Sequence, residues 1–269
     1  MSFRDLHVKG QPFVLANAWD AGSAKMLEYM GAKAIATSSA AHAFTLGRPD
    51  GGTVTRDEAL AHSQDLMAAV SVPVSGDFEN GFGHSPEDCA ETVRLSAEIG
   101  LAGICIEDTA FPSGEPYEFE LAVERMRAAA DAAQQVKRDF FFVARADGLM
   151  IHKYELDEAI RRLQAFEAAG SDGLYAPLPR SMADLAKIVA AVDAPVNVLA
   201  AGAYSKVTMA EYAAIGIARV SLGSALARVT HGVVRDAGLA MFNDGDFSAL
   251  SSAMNGSETD AMLSGETKV

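Results

Sequence analysis

The stretch VPVSGDFENGFGHSPED, residues 72–88, carries one complete folding unit. An apolar run ends in two carboxylates, Asp77 and Glu79, crosses a glycine-rich turn and enters Ser85-Pro86-Glu87-Asp88. That tetrad has the order of a helix start: a serine to cap, a proline where no N–H is needed, and acids at the positive end of the helix dipole. The run before it reads as a strand buried on both faces, because its apolar residues are nearly continuous rather than alternating. A strand, a turn and a helix follow one another, and the acids stand at the strand's C-terminal end.

The same unit recurs along the chain. Apolar runs appear at PFVLANAW (12–19), AKAIATSS (32–39), VPVSGDFE (72–79), GICIEDT (103–109), FFFVARAD (140–147), DGLYAPLP (172–179), APVNVLA (194–200) and ARVSLGS (218–224). Segments of helical periodicity separate them, the last near 225–242, and Gly31, Gly100, Gly170 and Gly216 sit where helix C-caps belong. Eight such units predict a closed (β/α)8 barrel. An open doubly wound sheet is the rival, but no GxGxxG follows the first strand. Residues 1–243 are expected to form the single barrel domain. Residues 244–269 are small and polar, which predicts a loosely ordered tail with room for one short helix.

Composition narrows the function classes. The chain has 269 residues, 49% hydrophobic and 22% charged, a globular balance with a substantial core. No apolar run reaches the roughly 18 residues a membrane span needs, and MSFRDLHVKG lacks the apolar centre of a secretory signal, so the expectation is a cytoplasmic protein. The formal charge of −14 and the scattering of 22 Lys and Arg argue against a nucleic-acid surface. Two cysteines, Cys89 and Cys105, form no CxxC pair and have no His at ligand spacing.

A barrel gathers the C-terminal ends of its strands in one mouth. Strand two would bring Ser38 and Ser39, strand three Asp77 and Glu79, strand four Glu107 and Asp108, strand five Arg145 and Asp147, and strand seven Asn197. Carboxylates converging in one partly dry place repel one another and call for a cation. Magnesium suits such a place, since it keeps several waters and needs only one or two protein carboxylates. Arg145 adds a fork for a substrate carboxylate. Together they predict a small 2-oxo or 2-hydroxy acid as substrate and an enolate whose negative charge the ion stabilises.

These motifs resemble the isocitrate lyase and phosphoenolpyruvate mutase superfamily. The resemblance rests on LANAWDAGSA, TSSAAHAFTLGRPD, GDFENGFG, GICIEDT and ARAD, in that order along residues 15–147, and the strand rhythm extends it to about residue 230. It implies a carboxylate-binding loop at Ser38, Ser39 and Ala40. It further implies magnesium, or manganese, held by Asp77 directly with Glu79 and Asp50 around it, a fourth-strand acid at Glu107, a substrate-holding Arg145 and a strand-seven Asn197. It also implies dimers or tetramers that exchange the last barrel helix, a homo-oligomer whose partner in solution is otherwise only a small carboxylate.

Two departures bear on the chemistry. The C–C lyases of the superfamily carry KxCGH on the loop after strand four, where this chain reads TAFPSGEPYEF with no cysteine. At the end of strand six, where lyases show Glu and mutases His, Pro177 stands in YAPLP. The reading is therefore a magnesium-dependent lyase or decarboxylase that cleaves at C3 through a pyruvate-like enolate. Phosphonopyruvate hydrolysis or phosphoenolpyruvate mutation is the alternative chemistry, and a non-catalytic acid-binding barrel the alternative class. The turn-rich loop, with Pro112, Ser113, Gly114 and Pro116, can serve as a lid, and the proton for the enolate would come from Tyr117, Glu115, Ser113 or water.

Blander readings stand beside these. An Asp at a strand end can simply cap the next helix, Arg145 can be a structural partner of Glu107, and Ser38 and Ser39 can be turn residues. His42 and His84 fall near the mouth as surface or supporting groups, and the glycine in SLGSAL (221–226) resembles a phosphate-binding turn or permits close packing.

Overall fold

The computed structural model of the protein describes residues 2–265. Eight parallel strands close on themselves in chain order: β1 (Phe13–Asn17), β2 (Ile35–Ala36), β3 (Val74–Asp77), β4 (Gly103–Glu107), β5 (Phe141–Arg145), β6 (Gly173–Tyr175), β7 (Val196–Leu199) and β8 (Arg219–Ser221), with β8 pairing back onto β1. Each lies inside one of the apolar runs read from the sequence. The runs are continuous because both strand faces are covered. Ile104, Ile106, Leu174, Val198 and Val220 face outward into the layer beneath the helices, while Phe13, Leu15, Ala36, Phe141 and Val143 pack inside the barrel.

The helices are α1 (Ala21–Tyr29), α2 (Ser39–Thr45), α3 (Arg56–Ala69), α4 (Pro86–Ile99), α5 (Phe119–Gln134), α6 (Leu156–Ala168), α7 (Met182–Ala190), α8 (Met209–Ala214) and α9 (Ala225–Leu239). Side-chain caps set several of their starts. In α4, Ser85 accepts from the Asp88 amide, Asp88 answers to the Ser85 amide, and Pro86 takes the first turn. The helix stops at Gly100, whose φ of 106° is open to glycine and costly for other residues. The short helix α2 was not separable in the sequence from the run that precedes it. Its start is fixed by Ser38, whose hydroxyl accepts from the Ala41 amide.

Barrel stagger decides which side chains share a level. Glu107, the last residue of β4, pairs with Arg145, which pairs with Tyr175, then Asn197, then Arg219, the first residue of β8. Because strands tilt against the barrel axis, this row descends from the mouth to the deep end. Asn197 is thus the second residue of β7, and the expected place for it near the strand's C-terminal end is corrected.

The tail is more structured than its composition suggests. After α9 the chain turns through Ser248–Ser252 into α10 (Gly256–Ser264), which docks on α1: Met262 is buried and Lys25 Nζ donates to the Leu263 carbonyl at 3.0 Å.

Candidate active site

The mouth collects its acids around Arg145. This side chain is fixed by Asp147, which accepts from Nε and, at 2.9 Å, from Nη2. Held that way, Nη1 points at Glu107 Oε2, 3.0 Å away, and lies 3.8 Å from Asp77 Oδ1. The structural pairing of Arg145 with Glu107 is therefore real, and it coexists with a place in the mouth. Asp77 Oδ2 accepts from both the amide and the hydroxyl of Ser39 at 2.9 Å, so the α2 start and the β3 end are tied together. Ala40 follows in the first turn of α2 and is buried.

Glu79 sits just past β3 with φ 43°, a left-handed conformation that costs a non-glycine residue energy and persists where surroundings impose it. Its Oε1 accepts from the Gly52 amide at 3.1 Å, on the loop that also carries Asp50. Burial pushes the Glu79 carboxyl up to about 7, helped by the charges of Asp77 and Asp50. Asp50 keeps solvent access at the rim, with protein packed on its inner side. It too is raised, by desolvation first and by Asp77 next.

Deeper in, Glu107 is 4% exposed and its pKa is driven well above the carboxylate range by burial, with Arg145 pulling the other way and Asp147, Asp77 and Glu79 adding to the rise. Asp147 is raised to about 6 for the same reason. One guanidinium among these acids cannot neutralise them all, so the cluster retains a proton or takes a cation.

Sequence reasoning placed Asp147 at the strand end without a role; its bidentate grip on Arg145 supplies one, and only the two-residue spacing in ARAD could have hinted at it. Asp108 is fully buried and accepts from the Asp147 amide (2.8 Å), Tyr154 Oη (2.9 Å) and Arg162 Nη1 (3.0 Å). It locks the β4 and β5 ends together and does not join the mouth.

The structure does not bring Tyr117 to these residues. Its hydroxyl bonds to Asn80 Nδ2 (3.0 Å), His84 Nδ1 (2.8 Å) and the Gly83 carbonyl (3.2 Å), and its ring lies under Arg125. Such a phenol braces the β3–α4 turn, and the catalytic role expected for it is corrected. Asn197 is engaged deeper in the barrel: Nδ2 donates one N–H to Ser221 Oγ at 2.8 Å and Oδ1 accepts from Arg219 Nε at 2.9 Å, which leaves its second N–H for another partner. The SLGSAL turn spends its amides internally as well, since Leu222 N and Gly223 N both donate to Asn17 Oδ1. His42, on α2, is buried and stacks on His62 of α3 at 3.9 Å.

The loop after β4 folds as a small hairpin, Thr109–Ala110 against Glu115–Pro116, and an ion pair from Lys153 to Glu115 holds it. Phe111 rests on Gly51 and Gly52; a Cβ at Gly52 would stand 2.7 Å from Phe111 Cβ. The hairpin and the Asp50 loop therefore fit together only because glycine is there. A concavity of about 990 Å³ lies outside between α4 and α5, away from these converging groups.

Among the described residues no three His, Cys, Asp or Glu side chains are set to ligate an ion directly. The oxygens present fit a magnesium held by one carboxylate and waters, since Asp77 Oδ1 carries no hydrogen bond and Glu79 and Asp50 flank it with raised affinity for positive charge.

A closed (β/α)8 barrel whose mouth sets carboxylates from β3, β4 and a neighbouring loop around one arginine defines a class, the barrel enzymes that work at their strand ends. The chain belongs to the phosphoenolpyruvate phosphomutase family, which matches residues 3–242, within the isocitrate lyase and phosphoenolpyruvate mutase superfamily. It is 32% identical to 2-methylisocitrate lyase of Escherichia coli over 203 residues, 72% of this chain and 67% of that one. An uncharacterized protein of Mycobacterium tuberculosis is 35% identical over 227 residues, 83% of this chain and 82% of that one. Among solved structures, phosphonopyruvate hydrolase in complex with oxalate and Mg++ superposes with a TM-score of 0.82 at 25% identity, covering 96% of this chain and 91% of that one.

Proposed function

We propose that this protein is a magnesium-dependent lyase or decarboxylase that breaks a bond at C3 of a small 2-oxo or 2-hydroxy acid. The single observation that carries the reading is the acid cluster at the mouth, where Asp77, Glu79, Asp50 and Glu107 share only Arg145. Similarity to 2-methylisocitrate lyase and to an oxaloacetate decarboxylase of Rhodopseudomonas palustris, 33% identical over 155 residues, supports it.

Asp77 would hold magnesium directly, with Glu79 and Asp50 bonding to its waters, and the ion would supply Lewis-acid stabilisation of negative charge developing on the substrate's 2-oxygen. Arg145 Nη1, aimed by Asp147, and the chain at Ser38, Ser39 and Ala40 bind and orient the substrate carboxylate. As the C3 bond breaks, its electron pair passes into the enolate; oxaloacetate would lose carbon dioxide at this step. Glu107, whose carboxyl burial raises above its ordinary range while Arg145 pulls the other way, would serve as the proton donor to C3. The hairpin over Gly51 and Gly52 excludes water.

The assembly proposed is a cytoplasmic homo-oligomer that exchanges α9. Only Ala227 of α9 is buried, and Val229, Val233 and Val234 are 63%, 65% and 70% exposed, an apolar stripe that a second copy would cover. A monomer in sedimentation at micromolar concentration would remove that part.

The activity is tested by incubating the protein with oxaloacetate, substituted malates, methylisocitrate and phosphonopyruvate, with magnesium or with EDTA. Pyruvate or glyoxylate release that needs magnesium is expected from a substrate that loses carbon. Release from phosphonopyruvate alone would instead establish P–C chemistry, and none from any of them would leave an acid-binding barrel.

A further inference from the structure

Arg219 opens β8 at the deep end of the barrel and is 4% exposed. Its Nε donates to Asn197 Oδ1 at 2.9 Å and its Nη1 faces His7 Nε2 at 3.4 Å. His7 gives Nδ1–H to the Phe3 carbonyl at 3.0 Å, which leaves Nε2 as the acceptor. Desolvation and the charge of Arg219 keep that imidazole neutral, with a pKa near 3. Both partners are uncharged, and together they take two of the five N–H donors of a guanidinium.

The ionisable groups that act on Arg219 are Cys105 and Tyr175, and no carboxylate among the described residues pairs with it. A thiol and a phenol are ordinarily uncharged at neutral pH, so neither neighbour supplies an anion. Arg219 thus meets only uncharged groups within hydrogen-bond reach, while the other charged groups of the barrel centre, Asp77 and Arg145, are of opposite sign. Buried charges are ordinarily paired, because an unpaired one is costly to desolvate.

Beside this charge lies a cavity of about 50 Å³, lined at its deep end by Cys105, Tyr175, Asn197, Arg219 and Ser221 and at its upper end by Asp77 and Arg145. A water needs roughly 10–15 Å³ of such space, so the cavity suits a group of a few heavy atoms and nothing larger. We infer that this inner cavity is a binding site for a small monoanion, of halide or carboxylate size, held by the guanidinium of Arg219 beneath the acids of the mouth. The anion is either free in solution or the carboxylate of a bound acid, and the shared chemistry is a single negative charge with short reach. This site stands on Arg219 and its neutral surroundings and does not depend on the proposed activity.

The experiment is anomalous diffraction from crystals of the full-length protein soaked in sodium bromide with EDTA present. A bromide peak within hydrogen-bonding reach of the Arg219 guanidinium is expected; an interior without one overturns the inference. In Arg219→Met the peak should vanish. Should that variant not fold, wild-type melting supplies the second readout: chloride should raise Tm saturably over gluconate at equal ionic strength, and identical curves would count against the site. A repeat soak with pyruvate and magnesium separates the sources. Displacement of bromide identifies the carboxylate of a bound acid as occupant, and retained bromide identifies a free anion.

Discussion

The two halves of the barrel interior carry opposite electrostatics. From β3 to β5 the strand ends crowd Asp77, Glu79, Glu107 and Asp147 about Arg145, with one cation to several acids. From β6 to β8 the inward groups are Tyr175, Asn197 and Ser221, all neutral, around Arg219, with one cation and no acid. A charge in the first half is worth something only if positive charge arrives from outside; a charge in the second already waits for a negative one. Burial first, and the crowding of acids next, raise the carboxyls at the mouth, and such raised carboxylates suit a place that would receive a cation and hold protons.

The largest break in this contrast should come from Asp77→Ala. It removes the carboxylate proposed to hold the metal directly, and turnover should fall by roughly a thousandfold or more with the circular dichroism spectrum unchanged. Arg145→Met removes the central cation and leaves buried acids unpaired, so activity should be lost together with about 3 kcal/mol or more of stability in urea. Asp77→Ala protein that retains full magnesium-dependent activity would end the assignment.

Gly52→Ala tests the seam between lid and mouth. With φ 70° and Phe111 Cβ only 2.7 Å from the added methyl, the hairpin or the loop carrying the amide bonded to Glu79 must shift. A loss of roughly tenfold to a hundredfold in kcat/KM is expected, and an unaffected enzyme would mean that the seam is not part of closure.

A smaller effect reads the acids through pH. Glu79 titrates near 7 in the folded protein against 4.5 as its ordinary value, so the folded state holds this proton more tightly than the unfolded chain. Its contribution is present below about 4.5 and is lost as pH rises to about 7, at most roughly 3 kcal/mol. Melting of metal-free protein should thus sharpen toward pH 5, magnesium should restore Tm near pH 7.5, and Glu79→Gln should flatten the profile. The smallest effect belongs to Cys105→Ala, whose thiol is held neutral inside the cavity. Turnover should stay within about twofold; collapse of activity with the fold intact would place this protein beside the cysteine-dependent lyases.

How far the sequence could be read follows from the range of each interaction. Strand positions were legible because continuous apolar runs report burial on both faces, and the C-cap glycines stand at positive φ where expected: Gly31, Gly100, Gly170 and Gly216. Asp77, Glu79, Glu107 and Arg145 were legible as strand-end residues because barrel geometry alone brings strand ends together. Asn197 was misplaced because a polar residue in a short run does not say whether it begins or ends the strand. Tyr117 was misassigned because its partners, Asn80 and His84, come from a different turn. Arg219 was invisible for the same reason in reverse, since its isolation exists only once β4 through β8 are in register. The tail's docking through Met262 depends on a single apolar residue meeting α1, too faint a pattern to separate from a loose end.

Calorimetric titration of oxalate into the protein tests the central claim most directly, because oxalate has the charge and size of an enolate of pyruvate and needs no catalysis. The account predicts binding in the presence of magnesium and at least a hundredfold loss of affinity with EDTA, as acids left without a cation repel a dianion. Equal affinity with and without magnesium would contradict it.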